Sequence, residues 1–244
     1  MGLRVRGSHS APSMPPRALP MLLAAAFAAA VLAIAAEPLG QPWLRFTFKP
    51  LTTALLVAWA WPRGADSPAR RAWIRAGLIL SWFGDVALLW PDAGFLPGLV
   101  SFLLAHLAYI AAFSRWQRFG APWWPFAGYA AVAAVILAQL WPGVPSALHL
   151  PVLAYVAALA CMAAQAAAVA VARRGEADAS LARRAMLGGA LFLVSDATLA
   201  FNRFQDAVPM SGLWILATYW LAQWAIAASL QSGANSPKDA PRRL

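Results

Sequence analysis

Residues 95–113 read FLPGLVSFLLAHLAYIAAF, an apolar run that contains no Asp, Glu, Lys or Arg. A helix rises about 1.5 Å per residue, so a run of this length can cross the roughly 30 Å of hydrocarbon in a bilayer. Backbone groups in lipid have no water to bond, and a helix satisfies nearly all of them within one segment. The run therefore predicts a transmembrane helix.

Similar runs lie on both sides of this segment, in a chain that is 61% hydrophobic and 11% charged. This composition excludes an ordinary water-soluble enzyme. We predict an all-α polytopic membrane helix bundle of about eight spans, near 19–36, 47–62, 74–90, 95–113, 123–141, 148–172, 185–202 and 212–231. They form a single domain over 18–231, between a disordered basic leader (1–17) and a disordered cytoplasmic tail (232–244).

The basic residues indicate the orientation of the bundle. Of the 19 Lys and Arg residues, only Arg45, Lys49 and Arg203 fall in the connections on one side of the predicted spans. The others fall in the termini and the alternate connections, which the positive-inside rule assigns to the cytoplasm. Both termini are therefore predicted to be cytoplasmic. The net charge of +10 is then a topology signal, so we expect no nucleic-acid partner and an integral protein of the bacterial inner membrane.

Two acidic residues, Asp85 and Asp196, lie inside predicted spans, whereas the other acidic residues lie in connections or the tail. A carboxylate at the bilayer centre costs about 2.5–3.5 kcal/mol on insertion scales, so each should face a cavity or the bundle interior. Each stands seven residues before the next charged residue, Asp92 or Arg203, which places both about 10 Å below the outer boundary. We expect one cavity in the outer half, where close approach would leave one carboxyl protonated and one ionised, as acid/base hydrolysis requires.

The surroundings of the two aspartates are similar. Gly77 precedes Asp85 by eight residues, and Gly188 precedes Asp196 by eight. Further matches are Gly84 with Ser195, and Phe102 and His106 with Tyr219 and Gln223. These matches suggest a tandem repeat of four plus four spans.

Other polar residues in the spans have both structural and functional interpretations. Lys49 is drawn into the outer boundary, where it either extends to the interface or binds an anion, whether a phosphate or one of the two aspartates. His106, near the middle of the membrane, is either a hydrogen-bonded interior residue or part of a site. Gln223 and Asn202 are by default interhelical hydrogen-bonding residues.

Several chemistries are absent from the sequence. It contains no GxSxG elbow, no phosphate-binding GxxxxGK[ST] loop and no HExxH motif, and its single cysteine, Cys161, excludes a multi-thiolate metal site. The spacing of the aspartates and His106 matches no zinc motif. We therefore expect neither a metal nor another cofactor.

Four blocks carry a resemblance to a known family. They are KPLT at 49–52, GLILSWFGD at 77–85, Gly98 with Phe102, His106 and Tyr109, and GALFLVSD at 189–196. Their order and their positions on spans two, three, four and seven resemble those of the YhhN-like family of membrane proteins, which includes the animal lysoplasmalogenases. The resemblance covers about residues 20–231, including Tyr219 and Gln223 in the last span.

This resemblance implies an eight-span membrane hydrolase that cleaves the vinyl ether of 1-alkenyl-lysophospholipids to a fatty aldehyde and glycerophosphoethanolamine or glycerophosphocholine. The implied partners are the lysophospholipid and membrane lipids. Asp85 and Asp196 would share the acid and carboxylate roles, without an assignment of which is the acid. Lys49 and Arg203 would hold the phosphate. The further substrate-binding candidates are Ser81, His106, Tyr109, Ser195, Asn202, Tyr219 and Gln223.

Two alternatives stay open at this point. A proton-coupled transporter could use the aspartates and His106 as a relay, although the cytoplasmic half of the spans offers no titratable residue to complete the path. A non-catalytic lipid-binding protein could use the aspartates only to bond helices together. The sequence leaves the oligomeric state open.

Overall fold

Eight α-helices make up most of residues 17–231, the part of the chain that the computed structural model describes. They are α1 (Ala18–Ala35), α2 (Pro42–Ala60), α3 (Pro68–Ala87), α4 (Phe95–Ser114), α5 (Trp124–Leu140), α6 (His149–Ala172), α7 (Ala179–Phe204) and α8 (Ser211–Ala228). No strand occurs within this range, so the all-α prediction is confirmed. The predicted disordered leader, except Arg17, and the predicted disordered tail lie outside the described residues.

Three helices begin several residues before the predicted spans do. α2 begins at Pro42, α3 at Pro68 and α7 at Ala179, each five or six residues earlier than the apolar runs near 47, 74 and 185. The reason is that charged residues mark where hydrocarbon ends, whereas a helix continues through the interface until its backbone is interrupted. Proline occupies the first position of α2 and α3. It suits this position because the N–H group that proline lacks would have no intrahelical partner there.

Five helical segments in the described range are long and apolar enough to cross a membrane. They are Ala18–Ala35, Phe95–Ser114, Trp124–Gly143, Ser146–Ala172 and Ala179–Phe204. The other three helices, α2, α3 and α8, do not belong to this set; they carry Lys49, Asp85 and Gln223, whose side chains are buried inside the bundle. An integral membrane helix bundle follows from this distribution.

Helices α3 and α4 form one close pair, α7 and α8 form another, and α6 packs against both α4 and α7. Small residues allow these approaches: a Cβ atom at Gly77 would lie only 2.3 Å from the ring of Tyr109. At the periphery, α5 buries only Pro125 and Leu140. The site residues described below therefore lie on the inner helices, which α1 and α5 flank.

The two close pairs pack in a related way. Gly77 of α3 faces Tyr109 of α4, and Gly188 of α7 faces Ile226 of α8. Tyr109 follows Phe102 by seven residues, as Ile226 follows Tyr219, so both contacts fit the matched positions in the sequence. The tandem four-plus-four repeat itself stays a prediction.

The connections α2–α3, α4–α5 and α6–α7 gather with the C-terminal end of α8 at one end of the bundle. Arg63 donates a hydrogen bond to the carbonyl oxygen of Leu230 (3.2 Å), and Arg173 donates to that of Trp116 (2.8 Å). We call this the arginine end; its basic residues in the described range are Arg17, Arg63, Arg70, Arg71, Arg75, Arg115, Arg118, Arg173, Arg174, Arg183 and Arg184. That this end faces the cytoplasm stays a prediction from the positive-inside rule.

We predict that Gly77→Ala destabilises the bundle by about 1–3 kcal/mol, because the added methyl group would overlap the Tyr109 ring in a packed interior. The matched control is Gly128→Ala on α5, where a Cβ atom would meet no atom within 4 Å. That variant should equal or slightly exceed wild-type stability, because alanine favours a helix over glycine. Thermal unfolding in detergent, followed by tryptophan fluorescence, measures both; equal midpoints for the two variants would contradict this packing.

Candidate active site

Asp85 is fully buried where α2, α3 and α8 meet. Its Oδ2 atom accepts hydrogen bonds from the Thr53 hydroxyl (2.6 Å) and the Tyr219 hydroxyl (2.7 Å). The Lys49 ammonium lies 3.5 Å from Oδ1 and donates to the Asp85 main-chain carbonyl oxygen (3.2 Å). A side chain that accepts from two hydroxyl groups and pairs with an ammonium group has the contacts of an ionised carboxylate.

The helical repeat explains why these donors converge on Asp85. Lys49 and Thr53 are four residues apart on α2 and so project from the same face. The indole N–H of Trp220 on α8 donates to the Thr53 hydroxyl oxygen (3.1 Å), which leaves that hydroxyl proton to bond Asp85. Trp220 and Tyr219, adjacent on α8, thus both support the carboxylate.

Asp196 of α7 has different partners. Its Oδ2 atom accepts a hydrogen bond from the Tyr155 hydroxyl of α6 (2.5 Å). The His106 Nε2 atom lies 3.9 Å from the same oxygen, which is too long for a hydrogen bond. Within residues 17–231, no Lys or Arg side chain lies within 4.0 Å of this carboxyl group. Asp196 therefore lacks the charge neutralisation that Asp85 has.

Both aspartates line one cavity of about 360 Å³, which we call the main cavity. Its polar part also includes Arg45, Lys49 and Tyr219. The part of the lining that α5, α6 and α7 contribute is largely apolar, and we call it the apolar limb; among its residues are Ala133, Ile136, Val152, Val156, Leu159 and Ala200. Lining residues such as Pro91, Phe204 and Ser211 belong to the end of the bundle opposite the arginine end. The cavity thus joins a polar region to an apolar limb.

The sequence candidates divide into two groups. Lys49, Ser195, Asn202, Arg203 and Tyr219 line the main cavity together with the aspartates. Ser81, His106, Tyr109 and Gln223 are fully buried in the packing and do not line it. In this buried group, the Tyr109 hydroxyl donates to Gln223 Oε1 (2.6 Å).

All five lining candidates already have protein partners, and that of Tyr219 is Asp85, as described above. Lys49 pairs with Asp85, one of the anionic partners that its sequence position left open. Arg203 pairs with Asp92 at 3.2 Å near the rim. The Ser195 hydroxyl donates to the carbonyl oxygen of Ile215, and the Asn202 side-chain oxygen accepts from the Val208 N–H. Any contact of these groups with a ligand would therefore be made in addition to an existing bond.

Sequence reasoning missed Thr53, Tyr155 and Arg45 as site residues. Tyrosine is rare in this chain, with four in 244 residues, and three of the four lie inside this region: Tyr109, Tyr155 and Tyr219. A tyrosine in the middle of an apolar run was thus an available signal for Tyr155. Thr53 could have been found from its position four residues after Lys49. Arg45 served only as a topology marker.

Within residues 17–231, no group of three or more His, Cys, Asp or Glu side chains is arranged to share a metal ion. The carboxyl and hydroxyl groups of the site contact one another, and their other neighbours are the cavity and apolar side chains. The arrangement offers one neutralised carboxylate, one carboxyl group bonded only to a hydroxyl group, and an adjoining apolar limb.

Comparison with known proteins identifies the family. The model of the YhhN family matches residues 44–230, which include all eleven sequence candidates. The chain is 33% identical over 225 residues to a Sus scrofa protein named lysoplasmalogenase TMEM86B, covering 88% of this chain and 87% of that one. It is 35% identical over 161 residues to lysoplasmalogenase TMEM86A of Homo sapiens, and this match spans 64% of each chain.

A bacterial relative is also similar. The uncharacterized membrane protein YhhN of Escherichia coli O157:H7 is 33% identical over 111 residues, which cover 45% of this chain and 52% of that protein. No solved structure matches the chain. From the extent of the family match, and from the pig relative that covers most of both chains, we conclude that the chain belongs to the YhhN family.

Proposed function

We propose that this protein is a lysoplasmalogenase-like hydrolase of the bacterial inner membrane. It hydrolyses the vinyl ether bond of 1-alkenyl-lysophospholipids, releasing a fatty aldehyde and glycerophosphoethanolamine or glycerophosphocholine. The names of the animal relatives support the substrate class. The single observation that carries the proposal is the presence of two carboxyl groups with unlike partners on one cavity that also has an apolar limb.

The unlike partners suggest a division of labour. Asp85, paired with Lys49 and bonded by two hydroxyl groups, acts as the carboxylate. Asp196, which has no basic side chain in contact, carries the proton and acts as the acid. A protonated and an ionised carboxyl group on one cavity are the pair that acid/base hydrolysis uses.

The reaction balances with these two groups. Asp196 gives its proton to the β-carbon of the vinyl ether, which becomes an oxocarbenium ion that the Asp85 carboxylate stabilises. Water attacks the carbon bonded to the ether oxygen, and Asp85 accepts the water proton, which leaves a neutral hemiacetal. The hemiacetal then loses its hydroxyl proton to Asp196 while Asp85 protonates the departing glycerol oxygen. The C–O bond breaks, the aldehyde forms and both carboxyl groups return to their initial states.

The lining of the main cavity suits a lipid with a single chain. The apolar limb between α5, α6 and α7 would take the alkenyl chain, because its apolar lining matches the hydrocarbon that the chain leaves. The vinyl ether is the first bond of that chain, so it would lie where the limb meets the two aspartates. Water would reach the same position from the polar part of the cavity.

The packing below the cavity argues against the transporter alternative. Tyr109, Gln223 and Ser81 are fully buried there, and Phe192 packs against the His106 ring at 4.7 Å between centroids. In the described residues of the spans, no acidic side chain lies between this layer and the arginine end. A continuous proton path through the bilayer would need such groups.

We predict that Asp85→Asn and Asp196→Asn each lower turnover about 10²–10⁴-fold, because an amide can neither give nor accept the required proton. The assay incubates purified protein with vinyl-ether, alkyl-ether and acyl lysolipids and measures released aldehyde by mass spectrometry. The control is Asp206→Asn, an exposed aspartate in the α7–α8 connection that does not line the cavity. Near-normal turnover in both site variants would refute the assignment. Wild-type lysolipid binding without product from any lipid would favour the non-catalytic alternative.

We predict that Tyr155→Phe lowers kcat about tenfold with little change in KM. The variant keeps the ring against His106 but removes the hydroxyl that bonds Asp196, and a lost hydrogen bond of about 1.4 kcal/mol corresponds to a factor of ten. Steady-state kinetics on a 1-alkenyl-lysophospholipid measures this split. Tyr129→Phe on α5 removes a hydroxyl that does not line the main cavity, and it should leave both constants unchanged. Equal effects of the two substitutions would contradict the role of Tyr155.

A further inference from the structure

A second cavity, of about 300 Å³, adjoins the main cavity between α1, α2 and α8. Three residues, Arg45, Gly212 and Leu216, line both cavities and so form the junction between them. The second cavity is further lined by Glu37, in the connection from α1 to α2. Its charged lining residues are therefore one basic and one acidic side chain.

Arg45 differs from the other two basic residues at this end of the bundle. Lys49 is paired with Asp85, and Arg203 is paired with Asp92. Arg45 is exposed, and no acidic side chain of residues 17–231 lies within 4.0 Å of its guanidinium group. A guanidinium group presents a planar set of donors that matches a phosphate, so Arg45 is available for an anionic ligand at the junction.

Glu37 places a carboxylate in the second cavity beside the first turn of α8. A Cβ atom at Gly212 would lie 2.3 Å from Glu37 Oε2, so glycine at this position gives the carboxylate its room. The carboxylate is exposed and lines the second cavity but not the main one. A ligand that extends past Arg45 from the main cavity would thus meet a negative charge.

We propose that the second cavity is the head-group subsite for a zwitterionic lysophospholipid, with Arg45 binding the phosphate and Glu37 the ethanolamine or choline cation. The inference rests on the proposed function and deepens it. The order of groups along the cavities is apolar limb, aspartates, Arg45 and Glu37. The order along the lipid is alkenyl chain, vinyl ether, phosphate and ammonium group. The two orders coincide, so one extended molecule can meet all four.

In this proposal Lys49 and Arg203 neutralise aspartates and do not hold the phosphate. Both had been expected to hold the phosphate, but each is already neutralised by an aspartate. Drawing Lys49 away from Asp85 would leave a buried carboxylate unpaired, which is strongly unfavourable. Arg45 can bind a phosphate without breaking an existing ion pair.

We predict that Arg45→Gln weakens binding of 1-O-alkyl-glycerophosphoethanolamine, whose ether lacks the reactive double bond, about tenfold, because a charge-assisted contact to phosphate is lost. Binding is measured on the full chain in nanodiscs by tryptophan fluorescence. Binding of 1-O-alkylglycerol, which has no phosphate, should not change. The matched control is Arg118→Gln, an exposed arginine at the arginine end. Equal dissociation constants for wild type and Arg45→Gln would overturn the proposal.

Two competitors distinguish the source of the phosphate. Soluble glycerophosphoethanolamine should displace the ether lipid from wild type and not from Arg45→Gln, whereas inorganic phosphate should displace it at most weakly. Equal displacement by inorganic phosphate would identify a general anion site and overturn the head-group assignment. The binding readout does not depend on turnover. If lipid binding needs Arg45 but no lipid yields aldehyde, the hydrolase function is refuted and the subsite stands. If the protein hydrolyses the lipid but Arg45→Gln leaves binding unchanged, the subsite is refuted and the hydrolase function stands.

We predict that Glu37→Gln weakens binding of 1-O-alkyl-glycerophosphoethanolamine about fivefold, because a partly exposed ion pair contributes up to about 1 kcal/mol. Binding of 1-O-alkyl-glycerophosphate, which lacks the cation, should be unchanged or tighter. Glu176→Gln in the α6–α7 connection is the matched control, since that glutamate is also exposed but lies near the arginine end. The same loss for both lipids would contradict a role of Glu37 in binding the cation.

Discussion

The buried ion pair between Lys49 and Asp85 determines how the centre of this bundle is arranged. A lone carboxylate in hydrocarbon is unfavourable, so Asp85 requires both a cation and hydroxyl donors. Lys49 and Thr53 supply them from α2, and Tyr219 supplies one from α8. Satisfying one charge thus holds three helices together. In residues 17–231, those helices are also the ones outside the set that is long and apolar enough to span a membrane.

The second aspartate gains its chemical character by contrast. Asp196 lies on the same cavity, but its direct contact is a tyrosine hydroxyl, and its nearest basic nitrogen belongs to a fully buried histidine at 3.9 Å. A single residue type therefore occurs in two environments, one that neutralises negative charge and one that does not. Such a difference allows two carboxyl groups to hold different protonation states. The difference in environment arises because different helices supply the partners: α2 carries the lysine that pairs with Asp85, and α6 carries the tyrosine that bonds Asp196.

Much of the fold and part of the site could be predicted from the sequence. The eight helices followed from apolar runs, and Asp85 and Asp196 stood out because no other acidic residue lies within a predicted span. The helix starts at Pro42, Pro68 and Ala179 were harder to predict, because charged residues mark the membrane boundary and not the end of a helix. Side-chain contacts between helices were the hardest to predict. The Tyr155–Asp196 hydrogen bond joins residues 41 positions apart, and no periodicity within α6 or α7 indicates that these two side chains meet.

The distribution of basic residues gives a last constraint on the site. Most of those in residues 17–231 lie at the arginine end, so the three that lie at the opposite end, Arg45, Lys49 and Arg203, oppose the general trend. Two of them are explained by aspartates that they neutralise. Within residues 17–231, the Arg45 guanidinium group is thus the one positive charge at this end that has no acidic side chain within 4.0 Å. It lies at the junction of two cavities, one of them lined by both site aspartates, which is the position that the proposed head-group subsite requires.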